Sequence, residues 1–564
     1  MLMRLKLLFS RCLPVCMAAL AALSASAHSF VQDGIYYNYL GNNQVEVTFE
    51  GTDYTKNPDR YTGAVEIPSH VVQSGTEFTV ASIGANAFNG CTNLTSIILP
   101  ETIGEISIQA FEGCSGLTAV QIPEGVTTLE TNAFAECTRL ASVSLPSTLT
   151  SVGPQAFLHT SLESIEIPAL VTSVGYSAFQ NCPKLKSATL PASLTAIGAA
   201  AFQNCTSLQA LDIPDQVTKI EQSTFNGFTQ LKTVELPSHL SSIGLTAFHN
   251  CSSLESIELP ESVTSIGEHA FSGCSALASV NIPKAITTIE PYTFSSCSSL
   301  TAVVLPDGLT ELGEGAFSNC SILAEINLPD GITALPASIF RNCTALTQID
   351  IPAGVSSIGQ YAFSGCRTLT DIVIPEGVTT IEYCTFNGCY AMESVSLPES
   401  LTAVGEMAFQ DCRSLTDVSI PDNVATIADY AFFSCPSLKT LTLGSGLKSI
   451  GNLAFYSSQE LEAITVRAIE PPVATVSTFN PANYTNAGLR VPYESIGKYK
   501  TAPVWENFFT DRWPLTGIEA IEATQSDAAV VERFDLTGRP VADDFRGLSV
   551  VRRADGSVAK ELRR

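Results

Sequence analysis

The chain has 564 residues, a formal net charge of −26, 45% apolar residues and only 15% charged ones. It is too apolar for a disordered polymer, and beyond its first residues it has no apolar run long enough to span a bilayer. Its acidity argues against nucleic acid and anionic membranes as partners.

Residues 1–27 read as a secretory signal peptide. Arg4, Lys6 and Arg11 give a basic start, Leu13 to Leu23 an apolar stretch, and Ala25-Ser26-Ala27 a small-residue cleavage site. The stretch is too short for an anchor, and Leu13-Pro14-Val15-Cys16 is a poor lipoprotein box because of its proline and early position. Cleavage would leave 26 basic against 55 acidic residues, a balance of −29. An electrostatically matched partner is then basic, or bridged by a cation. The mature chain is expected to be exported, without a transmembrane segment.

A phenylalanine then recurs from Phe88 to Phe455 at 23-residue intervals, with one interval of 22 between Phe157 and Phe179. A unit this short cannot bury its own apolar face, so it must stack on copies of itself. The expected fold is a solenoid over 81–460, about 17 coils, each contributing one parallel β-strand. In one coil, Leu94-Thr-Ser-Ile97-Ile-Leu99-Pro100 alternates as a strand does, and Pro100 ends it for want of an N–H donor. A second extended piece, such as Val263-Thr-Ser-Ile266-Gly267, follows a turn. Ala270-Phe271-Ser-Gly-Cys274 reads as a helical turn on the outer side, and the phenylalanines are expected to stack in the interior.

Fourteen of the 17 cysteines sit three residues after a repeat phenylalanine. Thr160, Phe228 and Ser458 replace cysteine in that slot, so the slot does not demand a disulfide. The expectation is a buried row of free thiols acting as small apolar side chains. Cys384 lies outside the slot and is expected to be more exposed. No Cys-x-x-Cys pair suggests structural zinc. The histidines share no repeat position, and neither a phosphate loop nor a His-Glu-x-x-His motif occurs. The chain therefore does not read as an enzyme.

The outward strand position between two inward residues holds Glu166, Asp212, Glu235, Glu258 and Asp350. These residues are the candidate ligand-binding face. Asp212, Glu235 and Glu258 fall on consecutive coils, where stacked carboxylates repel and would welcome a basic partner or a weakly held cation such as calcium. The bland alternative is a solvated strand face. No other cofactor is indicated.

The pattern L-x-x-I-x-L-P-x-x-V-T-x-I-G-x-x-A-F-x-x-C resembles the BspA-like, or treponemal-type, leucine-rich repeat, and Leu254 to Cys274 matches it at nearly every position. The resemblance implies a right-handed leucine-rich-repeat array. It also implies a β-rich N-terminal cap at 28–80, with Asp33-Gly-Ile-Tyr-Tyr, and a C-terminal cap at 461–516, with Trp505-Glu-Asn-Phe508. It implies a Bacteroidetes source and a cell-surface or secreted binding protein, with adhesion to a host matrix or mucosal glycoprotein as the expected role. A self-assembling envelope protein is the alternative. Residues 517–529 read as a linker. The small β domain at 530–564, with a hairpin signal at Asp555-Gly556, resembles a type IX secretion sorting domain.

Overall fold

The computed structural model describes residues 28–56, 60–509, 530–534, 547–553 and 558–563. The predicted signal peptide and linker lie outside them. The chain divides into two compact units, 1–277 and 278–564.

The first unit opens with a cap. β1 (Phe30–Gln32), β2 (Ile35–Gly41) and β3 (Gln44–Thr48) form an antiparallel meander. β4 (Gly63–Glu66) precedes β5 (His70–Gln73) and β6 (Thr76–Ile83), and β6 pairs antiparallel with β5 and parallel with β3. The cap thereby builds a coil of its own. β4 pairs in parallel with β7 (Leu94–Ile98), the inner strand of the first repeat, and β6 pairs with the second strand, Glu105–Ile106.

Each repeat coil then has three sides. Its inner strand alternates: in Ser164–Glu166, Ile165 is buried while Ser164 and Glu166 are exposed. Its second strand is two residues long and pairs in parallel with those of neighbouring coils, as Ser151–Val152 does with Ser173–Val174. Thr150 on this side donates its hydroxyl to the Thr127 carbonyl 2.9 Å away, one period earlier. The threonines that spell the repeat thus reinforce the ladder.

The outer side is not the helical turn the sequence suggests. It is a run of turns with left-handed residues two before and two after the phenylalanine, as at Gln109 (φ 58°) and Gly113 (φ 73°) around Phe111. Two such residues in five cannot continue a right-handed helix. The second slot is rich in Gly, Asn and Asp, which tolerate this backbone. The alternation turns every other N–H toward the next coil: Gln109, Phe111 and Gly113 donate to Thr131, Ala133 and Ala135 at 2.8–2.9 Å. The outer side is therefore a third inter-coil ladder.

The phenylalanines stack inside. From Phe88 to Phe202 all are buried, with ring centroids 4.9–5.6 Å apart and planes within 13°. The 22-residue interval leaves them undisturbed, at 5.4 Å between Phe157 and Phe179, because the missing residue falls between Thr160 and Leu162. At the cap, Tyr61 covers Phe88 at 4.5 Å and donates its hydroxyl to the Thr48 carbonyl. Arg60 closes the outer ladder, whose first carbonyls have no preceding coil. Its guanidinium donates to the carbonyls of Asn86, Ala87 and Asn89, and to that of Tyr54, at 3.0–3.3 Å.

The second unit repeats the arrangement, with stacked rings 5.0–6.0 Å apart from Phe294 to Phe455. Phe479 extends the stack. Trp505 and Phe508 then meet Phe479 edge-on at 5.6 and 5.5 Å and end it. Trp505 donates its indole N–H to the Pro472 carbonyl, and the strand Gly488–Arg490 adds a last parallel partner to Ala463–Val466. In the tail, Val530–Phe534, Gly547–Arg553 and Val558–Arg563 form a three-stranded antiparallel sheet. The Arg552↔Val558 pairing flanks the predicted Asp555-Gly556 turn, which lies outside the described residues.

Candidate binding face

The thiol row explains what keeps the interior regular. Cys114 donates its S–H to the Phe88 carbonyl at 3.1 Å, one coil back, and the contact recurs up to Cys435 and Phe409 at 3.3 Å. Cysteine fits because the slot wants a small side chain with one donor, which also explains how Thr160 fits: its hydroxyl lies 3.1 Å from the Cys182 sulfur. All fifteen described cysteines are free and buried. Cys384 is buried too, contrary to the sequence reading, with its sulfur 3.9 Å from that of Met407. Burial pushes the Cys182 thiol up to about 11 and those of Cys320, Cys366 and Cys435 to about 12. Thiolate is therefore scarce at neutral pH. A thiol reagent at pH 8 should leave the native protein unlabelled over these positions, and denaturation without reductant should make all fifteen reactive. A fraction that stays blocked until reduced would contradict free thiols.

The inner strands present an open face. A shallow groove of about 600 Å³ runs over Ile98, Gln121 and Ser144 in the first unit. Its neighbour column of Ser96, Ala119 and Ser142 is small and exposed. Ile98 is 60% exposed, and in the second unit Val304 and Val373 hold the equivalent position at 77% and 68%. These apolar residues stand singly along the face, as exposed apolar residues ordinarily do, and leave it open to contact.

Glu166 lies at the end of a paired strand, opposite Thr189. Glu258 follows the strand Ser256–Ile257, whereas Asp212 and Glu235 lie on inner segments with no strand. Asp350, in the second unit, likewise lies outside any strand. All five side chains are exposed, and among the described residues no ion pair holds any of them. Among the described residues no three His, Cys, Asp or Glu side chains converge as a metal site. Carboxylates repeated one per coil make a row, and a row does not surround an ion.

The sequence reading missed the adjoining exposed column, which carries Glu163, Lys186, Lys232 and Glu255. Lys186 pairs with Glu163 at 3.2 Å across two coils. The face is therefore charged in both signs. The signal was present, since these residues each follow the repeat leucine, but it was overshadowed by the acid count.

These features define a leucine-rich-repeat array with an exposed inner face. The chain belongs to the BspA type leucine-rich repeat family, which it matches in six copies between residues 71 and 462. Among solved structures, it is similar to a leucine-rich repeat protein from Bacteroides ovatus (28% identity over 78% of this chain and 95% of that one, TM-score 0.42). It is also similar to a leucine-rich cell surface protein from Faecalibacterium prausnitzii (27% identity, 66% and 95%, TM-score 0.40). A Treponema pallidum leucine-rich repeat protein matches at 23% identity over 44% of this chain and 90% of that one, with TM-score 0.29. The assignment rests on the repeat match and not on those overlays. No curated protein matches the chain. Among the described residues no helix is long and apolar enough to cross a membrane.

Proposed function

We propose that this protein is exported, held at the cell surface or released, and binds a macromolecular partner across its inner strand face. The observation that carries the reading is the exposure of that face, with the small side chains Ser96, Ala302, Ser164, Ala210 and Ser256 beside Ile98, Val304, Glu166, Asp212 and Glu258. A solenoid offers such long surfaces in place of a compact pocket. The partner proposed is a protein or glycoprotein of the host matrix or mucosa. The basic start and small-residue end of 1–27 support export, and the tail's resemblance to a sorting domain supports delivery by type IX secretion. Asp212, Glu235 and Glu258 are proposed to favour basic segments of the partner. A self-assembling envelope role is less favoured, because Arg60 at one end of the repeats and Trp505 with Phe508 at the other close off the stacking surfaces.

Neutralising Asp212, Glu235 and Glu258 to Asn or Gln should leave the fold intact. It should weaken binding to a fluorescent lysine-rich peptide several-fold and flatten the salt dependence. The matching control neutralises Glu268, Glu290 and Glu314. Equal loss from both triples would reduce the row to a share of the net charge.

A further inference from the structure

We propose that the first unit contains a built-in hinge at one junction, between the coil of Phe202 and the coil of Phe225. Such a hinge is a mechanical property of the array, independent of the binding role.

The junction before it is held on all three sides. Ser164–Glu166 pairs with Ser187–Thr189, and Ser173–Val174 pairs with Ala196–Ile197. The outer N–H groups of Ser177, Phe179 and Asn181 reach the next coil at 2.7–2.9 Å. One coil later both strand columns stop. The sheet that began in the cap ends at Ala196–Ile197, and the second-strand pairing resumes only between Lys219–Ile220 and Ser242–Ile243. Residues 209–213 and 232–236 form no strand. Of the backbone bonds only the outer ones cross, Ala200, Phe202 and Asn204 donating to Gln222, Thr224 and Asn226 at 2.8, 3.1 and 2.7 Å, joined by the Thr229 hydroxyl donating to the Thr206 carbonyl at 3.2 Å. The Phe202–Phe225 rings stand 6.5 Å apart, against 5.6 Å or less along the stack before them. Among the described residues of this unit, no other junction lacks both strand columns.

Two substitutions in the repeat coincide here, and each has a local cause. The residue after the second strand is glycine at 153, 175, 198, 244 and 267, and each of these N–H groups donates to the preceding coil at 2.8 Å. A Cβ at these glycines would sit 2.3–2.7 Å from that coil's backbone. Small residues still manage the bond, as Ser107 does to Ile83 at 2.9 Å and Ala428 to Val404 at 2.9 Å. Glu130 and Glu221 occupy the slot in the first unit, Glu290, Pro336 and Glu382 in the second, and none of the five makes it. A proline has no N–H to donate, and glutamate is bulkier than the serine and alanine that still make the bond, although at the Glu130 junction the Phe111–Phe134 rings stay 5.0 Å apart.

The second substitution is Phe228 in the cysteine slot. It removes the thiol that would donate to the Phe202 carbonyl, and its ring packs edge-on against Phe225 at 5.5 Å. Glu130 occurs without such a partner, and its junction keeps the Leu129↔Ile106 pairing. Only at Phe225 do the glutamate and the bulky ring fall in one coil.

The geometry is that of a hinge whose pivot is the intact outer ladder. Opening it separates the inner strands, and so changes the reach between Glu166 and Thr189 on one side and Asp212 on the other. In a stack coupled only through neighbours, the weakest junction sets where the array bends.

Hydrogen exchange of the full mature chain, read by mass spectrometry, tests this. Amides of 209–213 and 218–221 should exchange at least about tenfold faster than those of 186–189 and 195–198. The double repair Glu221→Gly with Phe228→Cys should slow them by a similar factor, and the pair Gly175→Glu with Cys182→Phe should create a fast region at its own junction. Should the double variant fail to fold, Glu221→Gly alone, at an exposed position, decides the matter. Equal exchange in the native protein, or no slowing on repair, would overturn the proposal.

Discussion

Replacing Phe134 with alanine should cost about 3–5 kcal/mol, the usual penalty for truncating a buried aromatic ring. Phe134 is wholly buried, stacked 5.0 Å from Phe111 and 5.6 Å from Phe157. The hole cannot collapse readily, because the outer ladder fixes coil spacing on both sides: Phe111 donates to Ala133 and Phe134 to Ala156, at 2.9 and 2.8 Å. Damage should reach the coils of Phe111 and Phe157 first and fade beyond them. Chemical denaturation gives the magnitude, and amide exchange at Phe111 and Phe134 gives the spread. A loss below about 1 kcal/mol would show that the ring stack does not carry the interior.

Arg60→Met should cost about 2–3 kcal/mol, since it strips charge-assisted donors from carbonyls that no coil precedes. The methionine can fill much of the same space, so the loss isolates the guanidinium's hydrogen bonds to Tyr54, Asn86, Ala87 and Asn89. Arg60→Lys should recover only part of it, because an ammonium cannot span three carbonyls in a row. Melting of the variants checks this, with fraying expected at residues 86–91 before the rest of the unit. Full stability in Arg60→Met would mean that water satisfies these carbonyls equally well.

The 23-residue period made the solenoid legible, because a fixed spacing of Phe, Leu and Pro can satisfy burial in few ways. The buried thiols were legible as well, from the substitutions at Thr160 and Ser458. The outer side was misread: Ala270-Phe271-Ser-Gly-Cys274 has acceptable helix composition, and nothing local announces left-handed backbone at His269 (φ 56°) and Gly273 (φ 77°). That conformation comes from the ladder between coils, a non-local demand. Cys384 was misjudged for a related reason, since its burial depends on Met407 one coil away. Arg60 was invisible because the carbonyls it serves are orphaned only once the stack exists. On the candidate face, the acidic positions were readable from alternation alone. The absence of strand pairing at Asp212 and Glu235 was not, because pairing depends on how neighbouring coils meet and not on the alternation within one strand.

The inner-face claim can be tested on the mature chain, residues 28–564, applied to an array of matrix proteins and mucosal glycoproteins. With the strongest saturable ligand, tryptophan substitutions at the exposed inner positions Ser164, Ser187 and Ser256 should each weaken binding by about tenfold or more. Substitutions at Arg139 and Glu268, exposed away from the inner strands, should leave it unchanged. Binding that survives all three inner substitutions, or falls only with the outer ones, would contradict the inner face as the binding surface.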